Sequence, residues 1–83
     1  MRRIVWTELA RADVRRLDKP TAMRVLAALH RFAESGEGDV KALLGGEELR
    51  LRIGDYRLFF VSAAPDILEV PRVLHRGDSV NDD

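Results

Sequence analysis

The sequence predicts an α+β two-layer sandwich made of one strand, a helical hairpin and a three-stranded antiparallel meander. Three observations indicate this fold. Apolar residues recur at helical spacing between positions 9 and 33, apolar and polar residues alternate from position 48 onward, and turns with glycine or proline separate the segments. The apolar helix stripes need a surface to cover, and a sheet supplies one. Because no composition shift marks a boundary, we expect residues 1–83 to form a single domain.

The first half of the chain predicts a strand and two helices. Residues 2–6 hold Ile, Val and Trp, which favour strands, and Thr7 is a good N-cap for the helix that follows. Residues 18–20 end that helix and begin a second one, with the proline in its first turn. Gly36 is suited to end the second helix. A connection this short predicts an antiparallel helical hairpin.

The second half predicts a loop over residues 39–46 and then the meander. Gly54 and Asp55 form a two-residue connection with glycine first, which favours a type II′ hairpin turn. Pro71 cannot donate to a strand ladder, so the last strand should be an edge strand or be bulged there. We expect residues 79–83 to be a frayed end. The three strand candidates are Glu48–Ile53, Tyr56–Ala63 and Ile67–Leu74.

Composition excludes several classes of protein. The chain has no cysteine, which excludes a disulfide framework and a thiolate metal site, and we expect neither a metal nor a cofactor. No apolar run approaches the roughly 20 residues that span a bilayer. The apolar segment after the basic start is too short for a signal peptide, so a cytoplasmic protein is expected. Net charge is zero, and 34 % of residues are charged, which is ordinary for a soluble domain.

The hairpin turn fixes a register that gathers arginines on one face. Arg52 lies opposite Arg57, so the face away from the core holds Arg50, Arg52, Arg57 and Phe59. Like charges placed opposite each other destabilise a sheet by about half a kcal/mol, so something should compensate. Two explanations stay open at this stage. A carboxylate of the chain, from Glu69 or Asp66, pairs with an arginine, or the face meets a polyanion whose phosphates the guanidinium forks would bind.

Arginine usage is consistent with the second explanation without requiring it. Lys19 and Lys41 are the only lysines among 14 basic residues, and arginine favours bidentate contacts with phosphate or carboxylate. A GC-rich genome would give the same bias with no functional meaning.

These motifs together resemble the RelE/ParE superfamily of toxins from type II toxin–antitoxin modules. The resemblance covers nearly the whole chain, and its most specific parts are the leucine-glycine loop of residues 43–46, the RxRxGDYR run of residues 50–57, and His75-Arg76. It implies a RelE-like toxin that cuts messenger RNA on the ribosome, or a ParE-like toxin that poisons DNA gyrase. Either would be held inactive by a cognate antitoxin. A remnant that binds an antitoxin without toxicity is the third reading.

For the nuclease reading, the resemblance implies roles for particular residues. Arg57 matches the family's phosphate-stabilising arginine, and Arg76 matches its arginine near the end of the last strand. His75 is the residue near these arginines whose unperturbed pKa lies near neutrality. The predicted catalytic residues are therefore Arg57, Arg76 and His75, and the predicted RNA-binding residues are Arg50, Arg52 and Phe59. Phe59 suits base stacking or an antitoxin-covered patch.

Two departures from the nuclease pattern keep the gyrase reading open. Members that cut RNA commonly carry a tyrosine shortly after the final arginine, and residues 77–81 contain none. Glu48 is acidic where the resemblance implies a basic residue.

Overall fold

The computed structural model describes residues 2–43 and 45–78 and confirms the α+β two-layer arrangement. The predicted frayed end, residues 79–83, lies outside the described residues. In chain order the elements are β1 (Arg3–Trp6), α1 (Glu8–Arg15), α2 (Lys19–Ser35), β2 (Asp39–Ala42), β3 (Leu49–Ile53), β4 (Tyr56–Ala64), β5 (Ile67–His75) and a 3-10 turn (Arg76–Asp78).

Local sequence signals set the limits of both helices. The Thr7 hydroxyl accepts a hydrogen bond from the Ala10 N–H at 3.1 Å, which confirms it as the N-cap of α1. Pro20 lies in the first turn of α2, where its missing N–H costs nothing. Gly36 ends α2 with φ of 79°, a left-handed conformation that glycine adopts without steric penalty, and its N–H bonds to the Phe32 carbonyl at 2.8 Å.

The sheet has five strands in the order β1-β5-β4-β3-β2, with β1 parallel to β5 and the other pairs antiparallel. The predicted loop over residues 39–46 is therefore wrong in its first half, where β2 pairs with β3. Three of the four residues of β2 are exposed, and only Val40 is half-buried. An edge strand with so little burial lacks the apolar alternation that marks a strand in sequence.

A bulge in β5 changes which face its C-terminal residues take. Phe59 lies opposite Arg72 and Val61 opposite Glu69, so three steps along β5 match two steps along β4. The extra residue falls beside Pro71, which confirms the bulge as one of the two predicted outcomes. The other outcome was wrong, because β5 is an inner strand between β1 and β4.

The core lies between the two helices and one face of the sheet. The Phe32 and Phe60 rings pack across it with centroids 5.0 Å apart. Trp6 is half-buried against the same core. Neither helix in the described part of the chain is long and apolar enough to cross a bilayer. The buried apolar residues are Ala10, Val25, Leu29, Ala33, Leu51, Ile53, Leu58, Phe60, Leu68, Val70 and Val73.

Candidate functional site

The β3–β4 hairpin has the predicted register and brings three arginines onto the face away from the helices. Gly54 has φ of 59°, as the first central residue of a type II′ turn requires, and Asp55 has negative φ. Arg52 lies opposite Arg57, and Arg50 lies opposite Phe59. We call these four side chains, Arg50, Arg52, Arg57 and Phe59, the arginine face.

The arginines of this face differ in exposure. Arg50 and Arg57 each keep only 9 % of their surface, whereas Arg52 is exposed and Phe59 is half-buried. Arg50 and Arg57 are both engaged in polar or electrostatic interactions. The Arg57 Nη1 lies 3.4 Å from the carbonyl oxygens of Gly54 and Tyr56, so its guanidinium reaches towards the hairpin turn.

The strand that sequence reasoning missed supplies the charge that opposes Arg52. Asp39 of β2 lies directly opposite Arg52 in the register. Opposite charges at such positions stabilise a sheet by a few tenths of a kcal/mol, enough to reduce the Arg52–Arg57 repulsion. The expectation that Glu69 would compensate is wrong in register, because Glu69 lies opposite Val5 and Val61.

Asp66, the other predicted source of compensation, does not lie beside the arginines in the register either. It belongs to the turn between β4 and β5, and its backbone carbonyl accepts a hydrogen bond from the Arg3 N–H at 2.7 Å. Asp66 therefore contacts the start of β1 and not the arginine face.

Arg76 lies at the end of the sheet, beside the same hairpin turn that Arg57 reaches. Its backbone N–H donates to the Asp55 carbonyl at 2.7 Å, and its Nη1 lies 3.9 Å from the Asp55 carboxylate. Both side chains of this ion pair are about two-thirds exposed, so water screens the attraction. The two predicted phosphate-binding arginines, Arg57 and Arg76, thus converge on the two-residue turn of Gly54 and Asp55.

His75 lies on the opposite face from Arg57. It is paired with Tyr56 across the β4–β5 ladder, and the two rings form an edge-to-face contact with centroids 5.1 Å apart. Residues opposite each other in a ladder share a face, and Tyr56 shares the helix-covered face with Leu58. The structure therefore places Arg57 and Arg76 beside the same hairpin turn but holds the His75 ring on the helix side of the sheet.

An ion pair between α1 and β5, in which Asp13 is buried and Arg72 is partly exposed, was not found by sequence reasoning and fixes the helix against the strand just after the bulge. The Asp13 carboxylate, 5 % exposed, accepts from the Arg72 Nε at 2.8 Å and Nη2 at 3.0 Å, and from the Val73 N–H at 2.9 Å. Burial alone would raise the pKa of Asp13. The hydrogen bonds from Arg72 and Val73, with the nearby charges of Arg72 and Arg16, outweigh burial and lower it below 3.8.

The same contact acts on the arginine partner. The hydrogen bond that Arg72 donates to Asp13 raises the pKa of Arg72, so this guanidinium stays charged at any pH the fold survives. Arg72 is 59 residues from Asp13 in sequence, and no local pattern relates the two positions.

An apolar groove with a basic rim runs between β1 and the two helices. It consists of two adjoining cavities of about 250 and 390 Å³ that share Trp6 and Leu26. We call it the helix groove. Within the described part of the chain, its lining contains four arginines and no carboxylate. Those lining residues are Arg2, Arg3, Ile4, Trp6, Arg11, Val14, Arg15, Leu26, Leu29 and His30.

Residues 2–43 and 45–78 contain no group of three or more His, Asp or Glu side chains placed to hold a metal ion.

Comparisons with known proteins identify the family of this chain. Residues 4–80 match the family described as the ParE toxin of the type II toxin-antitoxin system parDE. No curated protein matches the chain.

Solved structures share the fold at low sequence identity. One is the archaeal RelE-RelB complex from Pyrococcus horikoshii OT3, with 21 % identity, a TM-score of 0.76, and coverage of 94 % of this chain and 98 % of that one. Another is the YoeB/ParE toxin from Agrobacterium tumefaciens, with 19 % identity, a TM-score of 0.74, and coverage of 88 % and 96 %. A third is the intact E. coli RelBE toxin-antitoxin complex, with 20 % identity, a TM-score of 0.68, and coverage of 88 % and 94 %.

Proposed function

We propose that this chain, which belongs to the ParE toxin family of type II toxin–antitoxin systems, blocks translation by cutting messenger RNA on the ribosome. The observation that carries the proposal is the convergence of Arg57 and Arg76 on the Gly54-Asp55 turn, next to an arginine face. Two guanidiniums at one end of a sheet can hold a single phosphate between them. We also propose the cytoplasm as its location, because ribosomes work there.

The cleavage needs charge stabilisation that these arginines can give. A ribose 2′-oxygen attacks the adjacent phosphorus, the bond to the 5′-oxygen breaks, and the products are a 2′,3′-cyclic phosphate and a 5′-hydroxyl. The attacking hydroxyl gives its proton to a base, and the leaving oxygen takes one from an acid. Arg57 and Arg76 would bind the equatorial oxygens, where negative charge grows in the transition state.

Arg76 would reach the phosphate by leaving Asp55. The 3.9 Å contact between these two exposed side chains is weak, so a phosphate oxygen can replace the carboxylate at little cost. Arg50, Arg52 and Phe59 would hold flanking nucleotides by phosphate contacts and stacking.

His75 can donate the proton only to an RNA strand that crosses the end of the sheet, because its ring lies on the helix side. Its Nδ1 accepts a hydrogen bond from the Gly77 N–H at 3.0 Å, so the neutral ring carries its proton on Nε2. That N–H is the group available for transfer.

Poisoning of DNA gyrase is the second candidate function, and two observations favour it. The matched family is the one described for parDE. In addition, the part of the arginine face that the structure describes holds no side chain with an unperturbed pKa near neutrality, since His75 lies on the other side. A face that binds a polyanion without cutting it would need only its positive charge.

We propose that the helix groove receives the cognate antitoxin. The apolar floor around Trp6 and Leu26 fits the apolar stripe of an amphipathic segment, and four rim arginines fit acidic residues flanking that stripe. The solved structures with this fold include toxin-antitoxin complexes, which supports a partner of that kind.

Induction of the chain in bacteria tests the proposal. New 5′ ends in messenger RNA, phased to codons and followed by a stop in protein synthesis, are expected. Arg57→Ala should abolish them, and Arg31→Ala, which removes an exposed arginine of α2, should not. Trapped gyrase–DNA complexes with intact messenger RNA would instead establish the gyrase function. Normal growth with full expression would exclude both.

A further inference from the structure

A small polar cleft lies on the helix side of the sheet end, away from the arginine face. It has a volume of about 180 Å³ and is lined by Asp13, Arg16, Leu17, Tyr56, Val73, Leu74 and His75. Sites for drug-sized ligands hold roughly 300–1,000 Å³, so this polar cleft fits one small group and not a whole nucleotide.

The balance of charge in the polar cleft is positive. Both oxygens of the Asp13 carboxylate are already occupied by Arg72 and by the Val73 N–H. Arg72 neutralises this carboxylate, so the formal charge that remains in the polar cleft is that of Arg16. Among residues 2–43 and 45–78, Arg16 forms no ion pair. The polar cleft therefore favours an anion.

The remaining polar groups of the cleft are hydrogen-bond donors or can act as donors. The His75 Nδ1 is occupied by the Gly77 N–H, which leaves the Nε2–H of the neutral ring to donate outward. The Tyr56 hydroxyl has no hydrogen-bond partner in the described part of the chain and is open to solvent. The Tyr56 and His75 rings are in edge-to-face contact, with centroids 5.1 Å apart, and both residues line the cleft. Arg16 adds a guanidinium to the same small volume.

Basic side chains continue from the polar cleft to the arginine face. Arg76 follows His75 directly and contacts Asp55 in the hairpin turn. Arg57 reaches the other residue of that turn, Gly54, from the opposite face of the sheet. The cations thus form a path from Arg57, through Arg76, to the cleft.

We infer that the polar cleft of Arg16, Tyr56 and His75 binds a phosphate group of an RNA strand that crosses the end of the sheet from the arginine face. This inference rests on the proposed function, because it takes RNA as the polyanion. It assigns the adjoining phosphate to residues on the helix side, where Arg16 and Tyr56 donate to phosphate oxygens and the His75 ring lines the same cleft.

Nuclear magnetic resonance of the purified chain, with no ribosome present, tests this inference. The probes are inorganic phosphate, a short 2′-O-methyl RNA that cannot be cut, and an acidic peptide of equal charge. Phosphate should shift the resonances of the His75 ring and the Gly77 amide, and the RNA should shift them at a concentration at least about tenfold lower, because several contacts act together.

Three variants distinguish binding in the polar cleft from a general effect of positive charge. Arg16→Gln should weaken RNA binding about threefold, as expected for an exposed ionic contact, and lower the slope of log K against log salt by about 0.7. Arg31→Gln removes the same charge from an exposed site on α2 and should leave the His75 shift unchanged. Tyr56→Phe keeps the ring contact, removes the hydroxyl and should weaken phosphate binding at His75.

Each other outcome overturns the inference. If phosphate does not shift the resonances of the His75 ring, the cleft is not an anion site. Equal affinities for phosphate and RNA, or a response to the acidic peptide alone, show that the RNA strand does not pass through the polar cleft. Equal effects of Arg16→Gln and Arg31→Gln show that only overall charge matters. Intact messenger RNA after induction would refute the nuclease proposal separately, because the resonance experiment needs no cleavage.

Discussion

Replacing Asp13 by alanine should destabilise the fold by about 3 kcal/mol. The change leaves the N–H of Val73, a residue 4 % exposed, without its hydrogen-bond acceptor. A buried donor without a partner costs about 1–3 kcal/mol. The variant also loses two charge-assisted bonds to Arg72, which together contribute about 1–2 kcal/mol, because 39 % exposure of the Arg72 side chain lets water screen them.

A loss of this size is large for a domain of 83 residues, whose total stability is about 4–12 kcal/mol. It corresponds to a fall in melting temperature of about 12–24 °C. Urea titration followed by the fluorescence of Trp6, the single tryptophan, measures the free energy of unfolding. Circular dichroism in the same titration tests for a two-state transition.

Asp18→Ala is the matched control for this variant. Asp18 is the N-cap of α2, it is exposed, and its side chain makes no capping hydrogen bond. We expect a change below about 0.5 kcal/mol there. A loss below that same value for Asp13→Ala would refute the reasoning, since it would mean that the carboxylate does not hold α1 against β5.

Three further predictions concern pH, substrate and partner. Because the pKa of Asp13 is lowered in the folded state, its contribution to stability is complete above pH 3.8 and is lost as the pH falls through the folded pKa. In an acid titration, the free energy of unfolding should therefore fall more steeply for the wild type than for Asp13→Asn. Asp55→Asn should release Arg76 and strengthen RNA binding about two- to fivefold in a filter-binding assay, and unchanged affinity would show that the ion pair is irrelevant. Leu26→Glu should weaken antitoxin capture by at least about tenfold in calorimetry, whereas Leu9→Glu, at an exposed position outside the helix groove, should not.

Local rules predicted those parts of the fold where neighbouring residues determine the backbone. A two-residue turn starting with Gly54 allows one register, so the pairing of Arg52 with Arg57 followed directly. Thr7 and Gly36 limit the helices by the same kind of short-range hydrogen bonding. The arginine face was therefore predictable from residues 49–60 alone.

Other parts of the site depend on the three-dimensional fold. The Asp13–Arg72 pair joins residues that are 59 positions apart in sequence, and no local pattern relates them. Counting strict alternation from buried Leu68 would put His75 on the arginine face. One extra residue beside Pro71 reverses that parity and turns the ring to the helix side. The size of a bulge cannot be read from a proline, so the position of His75 required the structure.

Cleavage of a labelled messenger RNA on purified ribosomes tests the central claim most directly. We expect the purified chain to cut the RNA in the decoding site and to leave a 2′,3′-cyclic phosphate. Arg57→Ala and Arg76→Ala should each reduce the rate by at least about a hundredfold, and Arg31→Ala should keep it. Intact RNA after incubation with folded, antitoxin-free wild-type protein would show that the chain is not a ribosome-dependent nuclease.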